Sequence, residues 1–344
     1  MLGKSGAHTQ FGPVPHPPHR RRPATRPGGP EVTAGRDEFA VIDALRARFE
    51  AAAGHLPGGD VGIGDDAAVV TLPGGGQVVL ATDLVVEGVH VDLATSSPED
   101  VGWKALMVAV SDVGAMGCAP THVLLSVAAP AGFPIERLGD GVAEAAVVCR
   151  CVVVGGDLSA APVLVVSVTA VGPTPAGGSP LRRSGARPGD RLLVTGPLGS
   201  SAAGLRLLGG PGAAPPDART DAHRRPVARL REGWVAREAG ATAAIDVSDG
   251  LAADVHHLAA ASGVGVELQL GSDLVAEGAT RDEALSGGED YELVLATPDP
   301  DRLRAAYRAE GLRVPLDVGW CTDRPEQRTV DGVPLPAAGW RHRF

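Results

Sequence analysis

An apolar segment that runs directly into a carboxylate occurs several times in this chain, most plainly at Gly155-Gly156-Asp157-Leu158-Ser159. The preceding Val152-Val153-Val154 predicts a buried strand of about 4 residues. The two glycines allow the backbone to turn and to approach a ligand closely, because neither has a Cβ. The same combination recurs at Gly64-Asp65-Asp66, Thr82-Asp83, Ser111-Asp112 and Asp246-Val247-Ser248-Asp249. Together these segments predict a shared metal–phosphate centre.

The candidate metal ligands are six aspartates at the ends of apolar segments: Asp66, Asp83, Asp112, Asp157, Asp246 and Asp249. Open α/β sheets bind ligands at their strand ends, so we expect these side chains to converge. Converging carboxylates repel one another and need a cation to stay ionised together. Ligands that are all oxygen favour a hard cation, above all Mg²⁺ when phosphates complete the shell. Taken singly, each aspartate is better explained as a helix cap or a turn residue.

Charge is distributed unevenly along the 344 residues. The net charge is −10, and residues 1–30 contribute +5, which leaves −15 for the rest. An acidic body argues against nucleic-acid binding, which would require a basic face. No apolar run approaches the roughly 18 residues of a membrane span, and the N-terminus lacks the apolar region of a secretory signal. The cysteines form no C-x-x-C pair and predict buried, reduced thiols in a cytoplasmic protein: Cys118, Cys149, Cys151 and Cys321.

The chain divides into three predicted regions. Residues 1–35 are rich in Pro, Gly, His and Arg and predict a disordered basic tail. Residues 36–172 mix strands and helices, which predicts an α+β unit rather than a simple doubly wound sheet. The linker at 173–178 leads into a second unit at 180–344. Residues 196–204 could bind phosphate at a helix N-terminus or could equally be a small-residue turn, and they lack the Walker A lysine.

A helix is predicted to begin at Ser97-Pro98, with serine as the N-cap and proline at the first helical position. It places Ser111-Asp112 near its C-terminal half. Lys104 in this helix is predicted to be a surface or snorkelling residue. His90, Arg183 and Trp340, each taken alone, are more typical of a surface residue, a solvated arginine and a packing anchor.

Eight motifs in order resemble the thiamine-monophosphate kinases, a family of the aminoimidazole-ribonucleotide synthetase superfamily. They are GIGDDAA at 62–68, TDLVVEGVH at 82–90, SDVGAMG at 111–117, GGD at 155–157, RSGARPGD at 183–190, VTGPLGSSAAGL at 194–205, DVSDGL at 246–251 and GGEDYEL at 287–293. The resemblance implies a two-domain synthetase-like fold without a Walker A loop, in which an N-terminal α/β domain dimerises and a C-terminal α+β domain completes the ATP site.

The resemblance also implies a reaction: ATP and thiamine monophosphate give ADP and thiamine diphosphate, assisted by Mg²⁺ in a homodimer. No catalytic base is expected, because the acceptor phosphate oxygen is already anionic. The implied metal ligands are the six aspartates with Thr82. The implied nucleotide contacts are Gly156, Asp157, Arg183 and Ser248. The implied thiamine-phosphate contacts are His90, Glu289 and Trp340.

Three positions depart from the family pattern, which often has Ser, Asn and Phe where this chain has Ala81, Ala109 and Val91. Of these, Ala109 puts a helix-side hydrogen bond in doubt rather than the metal site.

Two other interpretations remain open at the level of sequence. One is another ATP-dependent enzyme of the superfamily. A selenophosphate synthetase would need a reactive cysteine near the N-terminus, but the first is Cys118. The hydrogenase-maturation type would need a C-terminal cysteine, but the chain ends Arg343-Phe344. The other interpretation is a non-catalytic nucleotide or thiamine-phosphate sensor, which we would expect to have lost some of the six carboxylates.

Overall fold

The computed structural model describes residues 38–53, 56–175, 178–210 and 217–342. The tail predicted at 1–35 lies outside these residues. Two β-sheets, one in each half of the chain, organise the fold. Among the helices of the described segments, none is long and apolar enough to cross a membrane.

The N-terminal half is a five-stranded sheet with helices against one face. The chain runs α1 (Glu38–Ala53), β1 (Ala68–Thr71), β2 (Gln77–Val86), α2 (Pro98–Ala115), β3 (His122–Ala129), α3 (Ile135–Cys149), β4 (Val152–Ala160) and β5 (Val165–Pro173). The strand order is β1-β2-β5-β3-β4, with β3 and β4 parallel and the other pairs antiparallel. Alternate side chains of β2 are buried beneath α2, whereas Thr82 and Leu84 on the opposite face are exposed.

The C-terminal half contains a seven-stranded sheet with the order β12-β11-β8-β10-β6-β9-β7. Its strands are β6 (Arg191–Val194), β7 (Ala243–Asp246), β8 (Gly265–Leu268), β9 (Leu293–Thr297), β10 (Leu316–Thr322), β11 (Arg328–Val330) and β12 (Val333–Pro334). Its helices are α4 (Ser200–Leu208), α5 (Ala218–Arg224), α6 (Leu230–Glu238), α7 (Leu251–Ser262), α8 (Arg281–Ser286) and α9 (Pro300–Ala309).

Helix α2 joins the two halves and begins as the sequence predicts. Ser97 accepts a hydrogen bond from the Asp100 amide, and the Asp100 carboxylate bonds back to Ser97 N, which forms a capping box. The helix is buried along most of its length, because it packs on β2, β5 and α3 on one side and on α6 and β7 on the other. Gly102 permits the close contact with α3, since a Cβ there would lie 2.0 Å from the Leu138 carbonyl oxygen. The helix therefore carries its polar residues into the junction between the halves.

The segment at Gly155-Gly156-Asp157 corrects our prediction of a buried strand followed by a glycine turn. Both glycines lie inside β4, whose nine residues are all exposed. β4 forms the edge of the sheet, so its apolar side chains have no neighbour on the outer side within the described chain. The run Val152-Val153-Val154 is apolar without being buried, because periodicity alone cannot distinguish a central strand from an apolar edge. Two of the other segments also differ from the turn pattern, since Asp83 lies within β2 and Asp112 within α2.

Candidate active site

Three carboxylates from distant parts of the chain meet where the two halves join. Asp66 precedes β1, Asp112 lies in α2, and Asp246 is the last residue of β7. One oxygen atom of each side chain lies within 4.8 Å of an oxygen of the other two. We call these three residues the acid cluster. Oxygen atoms at this spacing can share one cation.

The hydrogen bonds of the acid cluster leave capacity for a metal ion. Asp66 Oδ1 accepts from the guanidinium of Arg183, at 2.9 Å from Nε and 2.6 Å from Nη2. Asp246 Oδ2 accepts from Ser111 Oγ at 2.6 Å. Asp66 Oδ2 is buried and has no hydrogen-bond partner among the described residues. A buried carboxylate oxygen without a donor is costly unless a cation occupies its open side. The all-oxygen donor set and this free oxygen fit Mg²⁺.

Burial raises the pKa values of all three carboxyl groups in the acid cluster. Burial, opposed by Arg183 and reinforced by Asp246, raises the pKa of Asp66 to about 7. The pKa of Asp112 lies well above its usual value because of burial and the charges of Asp246, Asp83 and Asp66. The pKa of Asp246 is raised, mainly by burial. These shifts mean that the cluster holds protons near neutral pH when no cation is present.

Two further predicted ligands lie at the margin of the acid cluster. Burial raises the pKa of Asp83 to about 6, with Asp246 adding to the rise. Burial also raises the pKa of Asp249 to about 6, with contributions from Glu38 and Asp246. Ser248, a predicted nucleotide contact, lies near Asp246 and opposes the burial-driven rise of that carboxyl's pKa. Five of the six predicted aspartates therefore belong to one electrostatic group.

Thr82 and Asp157 are placed differently. The Thr82 side chain lies on the exposed face of β2, where its hydroxyl hydrogen-bonds to Thr169 Oγ1 at 3.0 Å. Asp83 lies on the opposite face, so only the main chain of Thr82 could serve as a ligand beside it. Gly156 shares a row with Asp83 across β5 and β3, three strand spacings or about 14 Å away. Asp157 pairs with Ser126 on the exposed face. Within one chain the structure does not bring Gly156 or Asp157 to the acid cluster.

The three predicted substrate contacts lie near residues at the margin of the acid cluster. Trp340 donates its main-chain NH to Asp249 O at 3.0 Å, which fixes the C-terminal segment over this aspartate. The His342 ring lies between Trp340 and His90, with ring centroids 5.9 Å and 5.4 Å apart. Burial and the charges of His342 and Lys104 lower the pKa of His90 to about 4, and its Nδ1 accepts from the Val86 amide at 3.1 Å. His90 is therefore a neutral ring at physiological pH.

Glu289 enters from the loop before β9 in a left-handed conformation, with φ of 65°. Its amide donates to Ser248 O at 2.8 Å, which ties it to the loop that carries Asp249. Its carboxylate also contributes to the raised pKa of Asp83. Glu289 therefore lies beside the acid cluster, with His90 and Trp340.

Four polar residues near the site are not among the predicted site residues: Asp254, Lys104, His223 and His342. Asp254 is buried and accepts from the amides of Asp249 and Gly250, which fixes the Asp-Gly turn. Its signal is its position in the first turn of α7, where carboxylates stabilise free amides. The prediction that Lys104 is a surface or snorkelling residue is wrong, because its side chain is 1% exposed and its ammonium pairs with Glu289. The sequence did contain a signal of this burial, because Lys104 is the single basic residue of an otherwise apolar and acidic helix.

The glycine-rich segment 196–204 favours the packing interpretation over the phosphate-binding one. The amides of Gly199 and Ser201 at the start of α4 donate to the Asp290 carboxylate, at 2.6 Å and 3.1 Å. A phosphate would have to displace this carboxylate. Gly204 allows α4 to contact α5 closely, since a Cβ would lie 2.0 Å from the Arg219 carbonyl oxygen.

Comparisons with known proteins agree with the motifs. The model of the AIR synthase related protein family matches with its N-terminal domain at residues 64–174 and its C-terminal domain at 187–332. Thiamine-monophosphate kinase of Bacillus subtilis is 37% identical over 310 residues, covering 86% of this chain and 94% of that enzyme. The Mycobacterium tuberculosis enzyme is 38% identical over 320 residues, covering 88% and 91%.

A solved structure described as AaThiL complexed with AMPPCP and TMP superimposes with a TM-score of 0.76 at 34% identity, covering 89% of this chain and 97% of that one. The predicted two-domain fold is thereby confirmed, with two sheets and helices in the arrangement of these relatives. By motif order, overall sequence identity and fold, this chain belongs to the thiamine-monophosphate kinase family.

Proposed function

We propose that this protein transfers the γ-phosphoryl group of ATP to thiamine monophosphate and so forms thiamine diphosphate and ADP. The observation that carries the proposal is the acid cluster, in which Asp66, Asp112 and Asp246 converge within 4.8 Å in a chain of this family. The superimposed relative binds an ATP analogue together with TMP, the abbreviation of the acceptor after which the family is named. The site has more carboxylates than cationic side chains, which suits phosphate substrates that bind together with metal cations.

The chain's own residues supply position and electrostatic complementarity. Arg183, held by Asp66, offers the cationic side chain of the predicted nucleotide site. The Ser248 carbonyl accepts from the Glu289 amide, so the main chain at Ser248 has a defined direction. No residue needs to remove a proton from the acceptor, because a phosphate monoester oxygen is anionic at neutral pH. Catalysis then rests mainly on alignment of two bound phosphates.

Mg²⁺ is the proposed cofactor, held by the acid cluster with Asp83 and Asp249 beside it. When bound, it neutralises phosphate charge and helps to align donor and acceptor. The residues fit the ion for three reasons: all donors are oxygen, one buried oxygen of Asp66 lacks a hydrogen-bond partner among the described residues, and burial together with neighbouring carboxylates raises the pKa values of Asp66 and Asp112. We place the reaction in the cytoplasm, because the four cysteines are buried and unpaired.

The test of the function is direct. Purified protein is incubated with ATP, Mg²⁺ and thiamine monophosphate, and thiamine diphosphate and ADP are quantified by chromatography. We expect both products in equal amounts, and none when EDTA replaces Mg²⁺. Unphosphorylated thiamine serves as the control acceptor and should give no product. Tight binding of both ligands without product would favour the sensor interpretation and refute the kinase proposal.

We also propose a homodimer that forms through the N-terminal unit at 36–172, while the C-terminal unit at 180–344 completes the active site. The exposed edge strand β4 supports this, since its apolar residues Val152, Val154 and Leu158 are each more than half exposed. The neighbouring sheet face adds exposed Leu84 and Leu124. An edge strand of this kind is a ready site for pairing with another chain. A two-fold interface there would place Gly156 and Asp157 against the second subunit.

Mixing two inactive variants tests whether Asp157 acts across that interface. We expect Asp157→Ala and Asp112→Asn each to be inactive alone. In a heterodimer, one site would combine an intact acid cluster with an intact partner Asp157, so about one quarter of all sites should recover after subunit exchange. Native mass spectrometry verifies that heterodimers have formed. If they have formed and no activity recovers, Asp157 does not act in the site of the other subunit.

A further inference from the structure

Lys104 is a buried cation that the proposed chemistry does not use. Its side chain is 1% exposed, and its Nζ lies 2.7 Å from Glu289 Oε1. The same ammonium donates to the His90 carbonyl oxygen at 3.0 Å. Lys104 therefore connects two residues that come from different halves of the chain and that are both predicted to contact the thiamine phosphate.

The composition of the chain makes this lysine unusual. Of 31 basic residues, 29 are arginine, and the two lysines are Lys4 and Lys104. A guanidinium is planar and larger than an ammonium, whereas an ammonium is compact and can direct its three donors to separate acceptors. The site around Lys104 is closed and offers a carboxylate and a carbonyl in different directions. These are the conditions that an ammonium meets and a guanidinium does not.

Glu289 is the residue that Lys104 holds. Its second oxygen lies 3.2 Å from His223 Nδ1, which in turn lies 3.0 Å from Ser201 Oγ. The carboxylate is thus held from two sides, while 23% of the side chain stays exposed. Buried ion pairs contribute little to net stability, because desolvation offsets their attraction. Fixing the direction of Glu289 is a role that an apolar side chain at position 104 could not perform.

We propose that Lys104 is a positioning residue for the acceptor: through its ammonium it fixes the Glu289 carboxylate and the main chain at His90, and so sets the affinity for thiamine monophosphate without contacting ATP. This inference rests on the proposed function, because it assigns the Lys104–Glu289 pair to the acceptor side of that site. Its signature is a change in KM for the acceptor at unchanged KM for ATP, which a purely structural role would not produce.

The experiment compares Lys104→Met, Glu289→Gln and the double variant with wild type. Methionine matches the length of the lysine stem and lacks the charge. We expect Lys104→Met to raise KM for thiamine monophosphate by about 10- to 100-fold, the effect of losing a charge-assisted hydrogen bond, with KM for ATP changed less than about 2-fold. Because the ammonium of Lys104 holds the Glu289 carboxylate, the effects of the two substitutions should be less than additive in the double variant. Arg137→Met is the control, since it removes an exposed ion pair to Glu99 on the same helix α2.

Each outcome has a defined meaning. If Lys104→Met does not fold, Lys104→Gln keeps a donor for the His90 carbonyl without the charge, and the same selective rise in KM is expected. A folded variant whose KM values for both substrates are unchanged, or rise together, overturns the inference while leaving the kinase function intact. Additive effects of Lys104→Met and Glu289→Gln would also overturn it. A wild-type protein that forms no thiamine diphosphate refutes the function and, with it, this role for Lys104.

Discussion

Replacing Asp112 with Asn should stabilise the metal-free protein while destroying its activity. At 4.8 Å, two ionised carboxylates repel by about 3.5 kcal/mol with an effective dielectric constant of about 20. Asp112 takes part in two such pairs, with Asp66 and Asp246. Because protonation already relieves part of this repulsion, we expect a gain of about 1 to 3 kcal/mol in the free energy of unfolding at pH 8.

The sign of the pH dependence follows from the raised pKa values. The folded state keeps a proton on Asp66 up to about pH 7, whereas the unfolded state loses it near pH 4. The pKa values of Asp112 and Asp246 are raised in the same direction. Repulsion in the folded state is therefore greatest above pH 7 and weakest near pH 4. The advantage of Asp112→Asn should be largest at pH 8 and small at pH 5.

The assay is urea denaturation with EDTA at pH 5 and pH 8, followed by thermal melts with Mg²⁺ and by turnover measurements. Mg²⁺ should raise the Tm of wild type and change that of Asp112→Asn little, because a ligand stabilises only the state that binds it. Turnover should fall by at least about 100-fold. Asp140→Asn, an exposed carboxylate on α3, is the control and should change neither property. A folded Asp112→Asn protein with near-normal turnover, or one less stable than wild type in EDTA at pH 8, would refute the reasoning.

Three further perturbations follow from the structure. In EDTA, wild type should lose stability from pH 4 to pH 7 by up to about 1.4 kcal/mol per pH unit through Asp66, and saturating Mg²⁺ should flatten this slope in urea titrations. Gly156→Ala should disrupt β4 and shift the protein toward monomer in analytical ultracentrifugation, since its Cβ would lie 1.6 Å from a carbonyl oxygen of β3. Gly102→Ala should cost about 1 to 3 kcal/mol of unfolding free energy by overpacking α2 against α3. Its matched control Gly139→Ala, with open space around the Cβ, should instead stabilise α3 by about 0.5 to 1 kcal/mol; equal effects would contradict the packing argument.

Local signals in the sequence predict an element of the fold well where several independent signals coincide. The start of α2 carries a serine cap, an early proline and an acidic residue at the third helical position, and the structure shows all three in use. The burial of strand β4 was predicted wrongly, because its valines do not indicate whether another strand lies beside it. An edge strand and a central strand differ in their neighbours, which are contributed by distant residues.

The candidate site shows the same division between local and distant information. Motif order predicts that Asp66, Asp112 and Asp246 belong together, and the fold brings them within 4.8 Å. Lys104 could not be assigned from its own surroundings, because its partner Glu289 arrives from a loop in the other half of the chain. A lone charge in an apolar helix acquires its role only from the residue that the tertiary fold places opposite it.

The balance of charge at the site links stability to substrate binding. Two cationic side chains, Arg183 and Lys104, each pair with one carboxylate. The carboxyl groups in and around the site are more numerous: Asp66, Asp83, Asp112, Asp246, Asp249, Asp254 and Glu289. If all were ionised, the excess would be about five negative charges in a partly desolvated space, which the fold can hold only by binding protons or metal cations. Bound cations would offset this negative charge, which otherwise repels anionic ligands. The ATP and acceptor phosphates should therefore bind more tightly with Mg²⁺ than to the chain alone. Metal-free titrations of ATP and thiamine monophosphate should therefore show weak binding, and comparable affinity with and without Mg²⁺ would contradict this electrostatic account.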